Sequence, residues 1–376
     1  MARSTVAQLE FDPAYNPTKD GEEVILREAL SAVLQVGNSL WVANDETLSL
    51  ERFSLQGYST DGIVHYNNHA QFLLADYLRL PEPPTDPEDF QEADIEGLAY
   101  HEGHLWLVGS HSRKRTKPKK GLPPSENQKR LEKVKTDSNR FLLARIPMIE
   151  ENGTLTLKKS GTHNGKKLVA AQLGGDKDGN DLLSALEEDG HFQRFLSIPG
   201  KENGFDIEGI VAVDDRLFIG LRGPVLRGHA TILEVELEED NKDSSVLKLK
   251  NIGPDKQPYR KHILDLGDLG TRDLCVQGSD LLILAGPTMG LDGPVMIFRW
   301  HGGARPGEES FVRREELQTV MEVPYGLGEN KGKDHAEGMT LFTTNNGQNA
   351  ILIVYDSAGD HRLKENNIVE ADIFQL

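Results

Sequence analysis

Short apolar runs and polar turns alternate along the chain, and the runs return in a fixed order. Three times an acidic phrase opens a segment: Ala93-Asp94-Ile95-Glu96-Gly97-Leu98, Phe205-Asp206-Ile207-Glu208-Gly209-Ile210 and Asp334-His335-Ala336-Glu337-Gly338-Met339. An uninterrupted apolar run follows each phrase, at 105–108, 217–219 and 351–354. Next comes an alternating stretch, as in Phe141-Leu142-Leu143-Ala144-Arg145-Ile146 or Val295-Met296-Ile297-Phe298-Arg299-Trp300. Alternation at period two predicts a strand with one buried face, and a continuous apolar run predicts a strand buried on both. Two more segments keep this order without the full phrase. In one, 29–34 leads to Leu40-Trp41-Val42-Ala43-Asn44; in the other, Thr271-Arg272-Asp273-Leu274 leads to Leu281-Leu282-Ile283-Leu284-Ala285. Five units of three strands are thus visible, most with room for a fourth, outer strand.

Helical patterning is sparse. Leu182, Leu183, Leu186 and Phe192 form a stripe behind the capping residues Asn180 and Asp181, which predicts one short helical insertion at about 180–195. Repeated small antiparallel sheets with little helix predict an all-β fold, a β-propeller whose blades bury both faces of each sheet. A sandwich has no reason to repeat one acidic phrase at one point of every unit. The expected count is five or six blades, since 61–80 has the length for an irregular extra one. The expected division is an N-terminal extension, 1–26, and a single propeller domain, 27–376.

In a blade of antiparallel strands, the start of the first strand and the end of the second lie at the same mouth of the central channel. The acidic phrases therefore meet there with Arg113 and Arg222, which close two of the second strands. Side chains two apart share a face, so Asp94 pairs with Glu96 and Asp206 with Glu208. Glu96, Glu208 and Glu337 are expected to ring the channel. Two carboxylates about 6 Å apart repel by roughly 3 kcal/mol at an effective dielectric near 20, so the ring needs compensation. Arg272 occupies the glutamate position of one unit, Lys201 and Lys333 precede two of the phrases, and a hard divalent cation suits the carboxylate oxygens. Expected metal ligands are Asp94, Glu96, Asp206, Glu208, Asp334 and Glu337, with calcium first and magnesium or manganese next. His111, His335 and His361 are further candidates for metal binding or proton transfer. A plainer reading makes each aspartate a loop clasp and each glycine a site of unusual backbone.

Composition narrows the function classes. The chain has 376 residues and a formal charge of −18, which argues against broad nucleic-acid binding. Basic residues nevertheless crowd the loop 113–135, from Arg113 to Lys135, where Glu126 and Glu132 are the only acids. That loop reads as a solvated surface or as an arm that gathers anions. One cysteine, Cys275, excludes an internal disulfide and sits among apolar neighbours. No apolar run is long enough to span a membrane and the N-terminus has no hydrophobic leader, so the expected location is the cytoplasm, away from membranes. Asp176-Lys177-Asp178-Gly179-Asn180-Asp181 is spaced like a calcium loop, but Asp181 stands where such a loop needs glycine. No phosphate-cradling loop, serine elbow or dinucleotide fingerprint occurs, so no nucleotide cofactor is expected.

The stretch Ile198-Pro199-Gly200-Lys201-Glu202-Asn203-Gly204-Phe205-Asp206-Ile207-Glu208-Gly209, with Leu221-Arg222-Gly223-Pro224 and Gly270-Thr271-Arg272-Asp273-Leu274, resembles a bacterial family known only as a domain of unknown function. That family is similar in turn to the esterase-like phytase propellers, whose acidic repeats face the channel. The wider propeller group that the resemblance implies includes calcium-dependent phosphatases, lactone or ester hydrolases and non-enzymatic modules, and the chain lacks the export signal of secreted phytases. The resemblance therefore leaves the activity open between phosphoric-ester or carboxylic-ester hydrolysis and binding. The leading expectation is metal-assisted hydrolysis of phosphorylated or anionic esters by Glu96, Glu208 and Glu337. Arg222 and Arg272 would assist, with Arg113, Lys201, Arg222, Arg272 and Lys333 receiving the anion. The alternative is a binding module without chemistry, for a peptide, a sugar phosphate or a protein; the partner expected at the basic loop is an anionic small molecule or a polyanion.

Overall fold

A computed structural model describes residues 3–86, 88–289, 293–325, 334–344 and 347–376. The five units are five four-stranded blades. From the channel outward, blade one is Leu30–Val36, Ser39–Asn44, Ser49–Tyr58 and Val64–Leu73. Blade two is Ile95–His101, His104–Gly109, Leu143–Glu151 and Ala171–Leu173. Blade three is Asp206–Val213, Arg216–Gly223, His229–Glu239 and Arg260–Asp265. Blade four is Gly270–Gln277, Asp280–Gly286, Val295–Trp300 and Leu317–Val323. Blade five takes His335–Thr343, Asn349–Asp356 and Ile368–Gln375 from the end of the chain and Arg3–Glu10 from its start.

The five inner strands pack against one another in a closed ring, one to two, two to three and so on back to one. Closure corrects two expectations. The segment 61–80 adds no sixth blade, because Val64–Leu73 is the outer strand of blade one. The segment 1–26 is not merely an extension either: Arg3–Glu10 pairs antiparallel with Ile368–Gln375 and parallel with Val64–Leu73, sealing blade five to blade one. Parallel seams also join blade two to three, where Ala171–Leu173 meets Val246–Leu249, and blade three to four, where Arg260–Asp265 meets Ser310–Val312.

Continuous apolar runs mark the second strands because each lies between two cores. Leu281, Ile283 and Ala285 face the core shared by blades three and four, while Leu282 and Leu284 face that of blades four and five. Ile351 and Ile353 alternate with Leu352 and Val354 in the same way around blade five. Five such clusters fill the five gaps between blades.

The helical insertion is shorter than its apolar stripe suggests. Helix α2 spans Asp181–Leu186, with the Asn180 side chain accepting hydrogen bonds from the Leu182 and Leu183 amides, and 187–195 continues as turns. Asp176 and Gly179 pair in a small hairpin, so the calcium-like spacing is a turn followed by a helix cap. The basic loop holds helix α1, Pro124–Glu132, and a two-residue ladder, Lys114–Arg115 against Val134–Lys135. No helix is long and apolar enough to cross a membrane.

Candidate functional site

Strand register puts the starts of the inner strands opposite the ends of the second strands: Ile95 faces Gly109, Asp206 faces Gly223 and His335 faces Asp356. Each inner strand carries a bulge near this end. The ladder skips Ser31, Glu96, Arg272 and Glu337 in their blades, and it skips Glu208 with Gly209 in blade three. A bulge adds one unpaired residue and re-aims its side chain, so the repeated glutamate and its Arg272 substitute are bulge residues at the channel mouth.

The following glycine has a packing reason. A Cβ on Gly97 would lie 2.7 Å from the Ile210 nitrogen, and one on Gly209 would lie 2.7 Å from the Asp273 Cα. One on Gly338 would lie 2.9 Å from the Val33 nitrogen. With five blades the inner strands crowd the axis, and glycine admits the neighbouring backbone. In blade four Asp273 takes that place and accepts hydrogen bonds from the Leu274 and Met339 amides, each at 2.7 Å, stitching blade four to blade five.

The mouth is a network of carboxylates and guanidiniums. Arg222 contacts both Asp206 and Glu208. Arg272 Nη1 lies 3.1 Å from Glu208 Oε2 and 2.5 Å from Glu337 Oε1, and its Nη2 donates to the Pro287 carbonyl. Asp94 is paired with Arg140 at 2.8 Å, and Arg140 also donates to Glu92. Asp334 is fully buried: it accepts from the Gly359 amide and from Arg362 Nε, both at 2.8 Å, in the clasp that the plainer reading anticipates. Glu96 lines the main cavity, is only 8% exposed, and forms no ion pair among the described residues.

Negative charge exceeds positive charge here, and the excess appears as held protons. Burial, then Asp94, Glu208, Glu337 and Asp45, push the Glu96 carboxyl well above its ordinary range. Burial, then Asp356, push Glu337 up to about 8 despite Arg272 beside it. Burial raises Glu208 as well, against the pull of Arg222 and Arg272. Asp45 is raised by burial and then by Asp356. Asp45 and Asp356 were not singled out from the sequence, although both stand where second strands end at the mouth. Arg140 and Glu92 carry no sequence signal for their place beside the acidic phrase.

Two cavities open at the mouth and share Lys201, Arg222, Glu337 and Asp356 as walls. The larger, of about 670 Å³, runs from Glu96 to the basic loop. Lys201 and Arg113 are exposed there and bound to no carboxylate among the described residues; Arg113 Nε donates to the Leu196 carbonyl. Lys333 lies outside the described residues. His111 is buried, with Nδ1 against the Gly109 carbonyl and Nε2 against Asn180, so it braces α2 rather than facing the cavity. His361 leans on Asp334 at 3.3 Å, and His335 lines the smaller cavity.

Five of the six expected metal ligands are engaged by arginine. Among the described residues no group of three or more histidine, cysteine, aspartate or glutamate side chains is arranged to hold a metal ion. The donor set does not fit a resident divalent cation, and no step below runs through one.

Residues 29–372 match the family model described as "Protein of unknown function (DUF3616)", and the chain belongs to that family. No curated protein matches it. Among solved structures it resembles a hypothetical protein from Leishmania major (8% identity, 100% of this chain and 91% of that one, TM-score 0.40). It also resembles an exo-β-1,3-galactanase from Phanerochaete chrysosporium (9% identity, 98% and 64%, TM-score 0.38). A third is a putative 6-phosphogluconolactonase from Bacteroides fragilis (13% identity, 95% and 83%, TM-score 0.32). The chain spans 64% of the galactanase, and likenesses this distant assign no activity.

Proposed function

We propose that this member of the DUF3616 family hydrolyses phosphorylated or other anionic esters at its channel mouth, using carboxyl groups as proton donor and acceptor. The observation that carries the reading is Glu337, held at about 8 on the wall shared by the two cavities. Hydrolysis needs an acid that protonates the leaving oxygen and a base that takes a proton from water, and a group titrating near neutrality serves either role. Glu96, whose carboxyl is pushed well above its ordinary range by burial and then by its acidic neighbours and which lines the same cavity, is the donor in this scheme; Glu337, once ionised, is the acceptor.

The arginines expected to receive the anion have another task in this scheme. Arg222 and Arg272 are committed to Asp206, Glu208 and Glu337, and they oppose the rise that burial imposes on the Glu208 and Glu337 carboxyls. Anion capture falls to Lys201 and Arg113.

A panel of phosphomonoesters, phosphodiesters and carboxylesters, assayed with and without chelator, tests the proposal. Expected are turnover that survives the chelator, a pH profile with a limb near 8 that Glu337→Gln removes, and a raised KM with little change in kcat for Lys201→Ala. Inactivity across the whole panel would sink the enzyme reading and favour the binding module.

A further inference from the structure

The basic arm 113–135 is a built element. Its ladder is clamped by Arg115, which reaches Glu202 with Nη2 at 2.9 Å, and its base by the Gly200 amide donating to the Arg113 carbonyl at 3.0 Å. Inside it, Arg130 Nε donates to the Lys117 carbonyl at 2.8 Å, and Asn127 accepts from the Lys119 amide at 2.9 Å. On this scaffold Lys117, Lys119, Lys120, Lys129, Arg130, Lys133 and Lys135 form no ion pair among the described residues, and all but Arg130 are exposed. A chain of net charge −18 thus holds seven cations without an ion-pair partner among the described residues on one ordered arm, against only Glu126 and Glu132. Fixing like charges together is unfavourable unless counter-charge is recruited.

These cations also lead somewhere. Lys117, Arg130 and Lys135 line the larger cavity with Arg113 and Lys201, so the positive track runs from the outer side of α1 down to the mouth. We propose that the arm docks a linear polyphosphate, a chain of closely spaced phosphate groups with no bases, whose end enters the cavity. Length follows from the scaffold: nine helical residues span about 13 Å, more than one small anion covers. Six of the seven cations are lysines, point charges that read charge rather than the planar geometry that arginine forks select. Between 113 and 135 there is no aromatic residue on which bases would stack, unlike surfaces that hold single-stranded nucleic acid. Binding releases counterions from the chain, so affinity should fall with a salt slope of roughly −5 for seven neutralised groups. This docking stands beside the hydrolytic reading and not on it, because binding is measured without turnover.

The test is fluorescence anisotropy with end-labelled long-chain inorganic polyphosphate, with polygalacturonate, orthophosphate, a single-stranded oligonucleotide and anionic lipid vesicles as competitors. The intact protein is compared with the variant Lys119→Glu, Lys120→Glu, Lys129→Glu, Lys133→Glu, whose changes all lie on exposed positions outside the cavity wall. Expected are full competition by unlabelled polyphosphate, weaker competition by polygalacturonate, and none by orthophosphate at equal anion concentration. The variant should lose affinity at least 100-fold with an unchanged melting temperature, and its salt slope should be shallower by about three. Stronger competition by polygalacturonate than by unlabelled polyphosphate would point to a carboxylate chain and overturn the phosphate assignment. Equal competition by orthophosphate, tighter binding of the oligonucleotide or of vesicles, or an unaltered variant would each overturn the proposal.

Discussion

Replacing Glu337 by glutamine keeps the shape of the side chain and removes its titration. In the folded protein its carboxyl is held at about 8, against an ordinary value of 4.5, by burial and then by Asp356. Between those two values the folded chain binds more protons than the unfolded one, so this group makes stability fall as pH rises from about 4.5 through about 8. At about 1.4 kcal/mol per unit, the fall from pH 5 to pH 9 is roughly 4 kcal/mol. An unfolding entropy near 2.1 cal/mol/K per residue gives roughly 0.8 kcal/mol/K for a chain of this length. The wild-type melting temperature should therefore drop about 5 °C further than that of Glu337→Gln over this range. Near pH 5, where both side chains are neutral, the two proteins should be about equally stable, and the curves should separate as pH rises, with the variant the more stable above about 8. Thermal unfolding in a buffer series from pH 5 to 9 measures this directly. Parallel curves would refute the argument, because they would mean that Glu337 is ionised in the fold throughout and that Arg272 compensates it fully.

Gly97→Ala drives a Cβ into the Ile210 and Gly209 backbone and should cost about 1–3 kcal/mol, read by chemical denaturation. Arg362→Ala strips buried Asp334 and Asp372 of their common partner, and a loss of roughly 3–5 kcal/mol is expected in the same assay. Asn180→Ala removes the cap of α2 and the brace on His111; about 1 kcal/mol should be lost. Calcium at millimolar concentration should leave the melting temperature within error, since arginines hold five of the six candidate ligands; a rise of several degrees would show that a cation displaces them.

Strand order was readable, and the blade count to five or six, because both faces of each second strand are buried, which leaves an unbroken apolar signature at 105–108, 217–219, 281–285 and 351–354. Closure was not readable. The strand Arg3–Glu10 lies some 360 residues from its partner Ile368–Gln375, and no local pattern states that two distant strands share a ladder. The helix at 181 was overextended because Phe192 carries on the apolar stripe; in the fold Phe192 is buried from a turn, in the core between blades two and three. At the mouth, residue spacing located Glu96, Glu208, Glu337 and Arg272 and offered Arg272 as the ring's compensation, but it did not pair Arg222 with Asp206 and Glu208 or Arg140 with Asp94. Arg140 reaches Asp94 from the segment before a third strand, a relation set by blade geometry rather than by spacing.

The acidic phrase joins two demands that oppose each other. Crowded inner strands need a residue without a side chain, and the bulge beside it turns its neighbour toward the channel, so a large polar side chain at the bulge and glycine after it follow from one geometric cause. That explains Glu-Gly in blades two, three and five, but it does not explain why the large residue is acidic in all three. Glutamine would fill a bulge equally well without the cost of like charges converging on one axis. Arg272 lowers that cost in a single blade, and Ser31 avoids it in another. An arginine in a second blade would reduce the excess, yet the mouth keeps three glutamates, with Asp45, Asp206 and Asp356 beside them, against Arg272 and Arg222, and burial together with this excess pushes the Glu96 and Glu337 carboxyls up. Carboxyl groups raised by burial and by close neighbours can exchange protons when a ligand displaces a neighbour, which a balanced ring would not do. The imbalance, more than the fold, is the feature that a function of this mouth has to use.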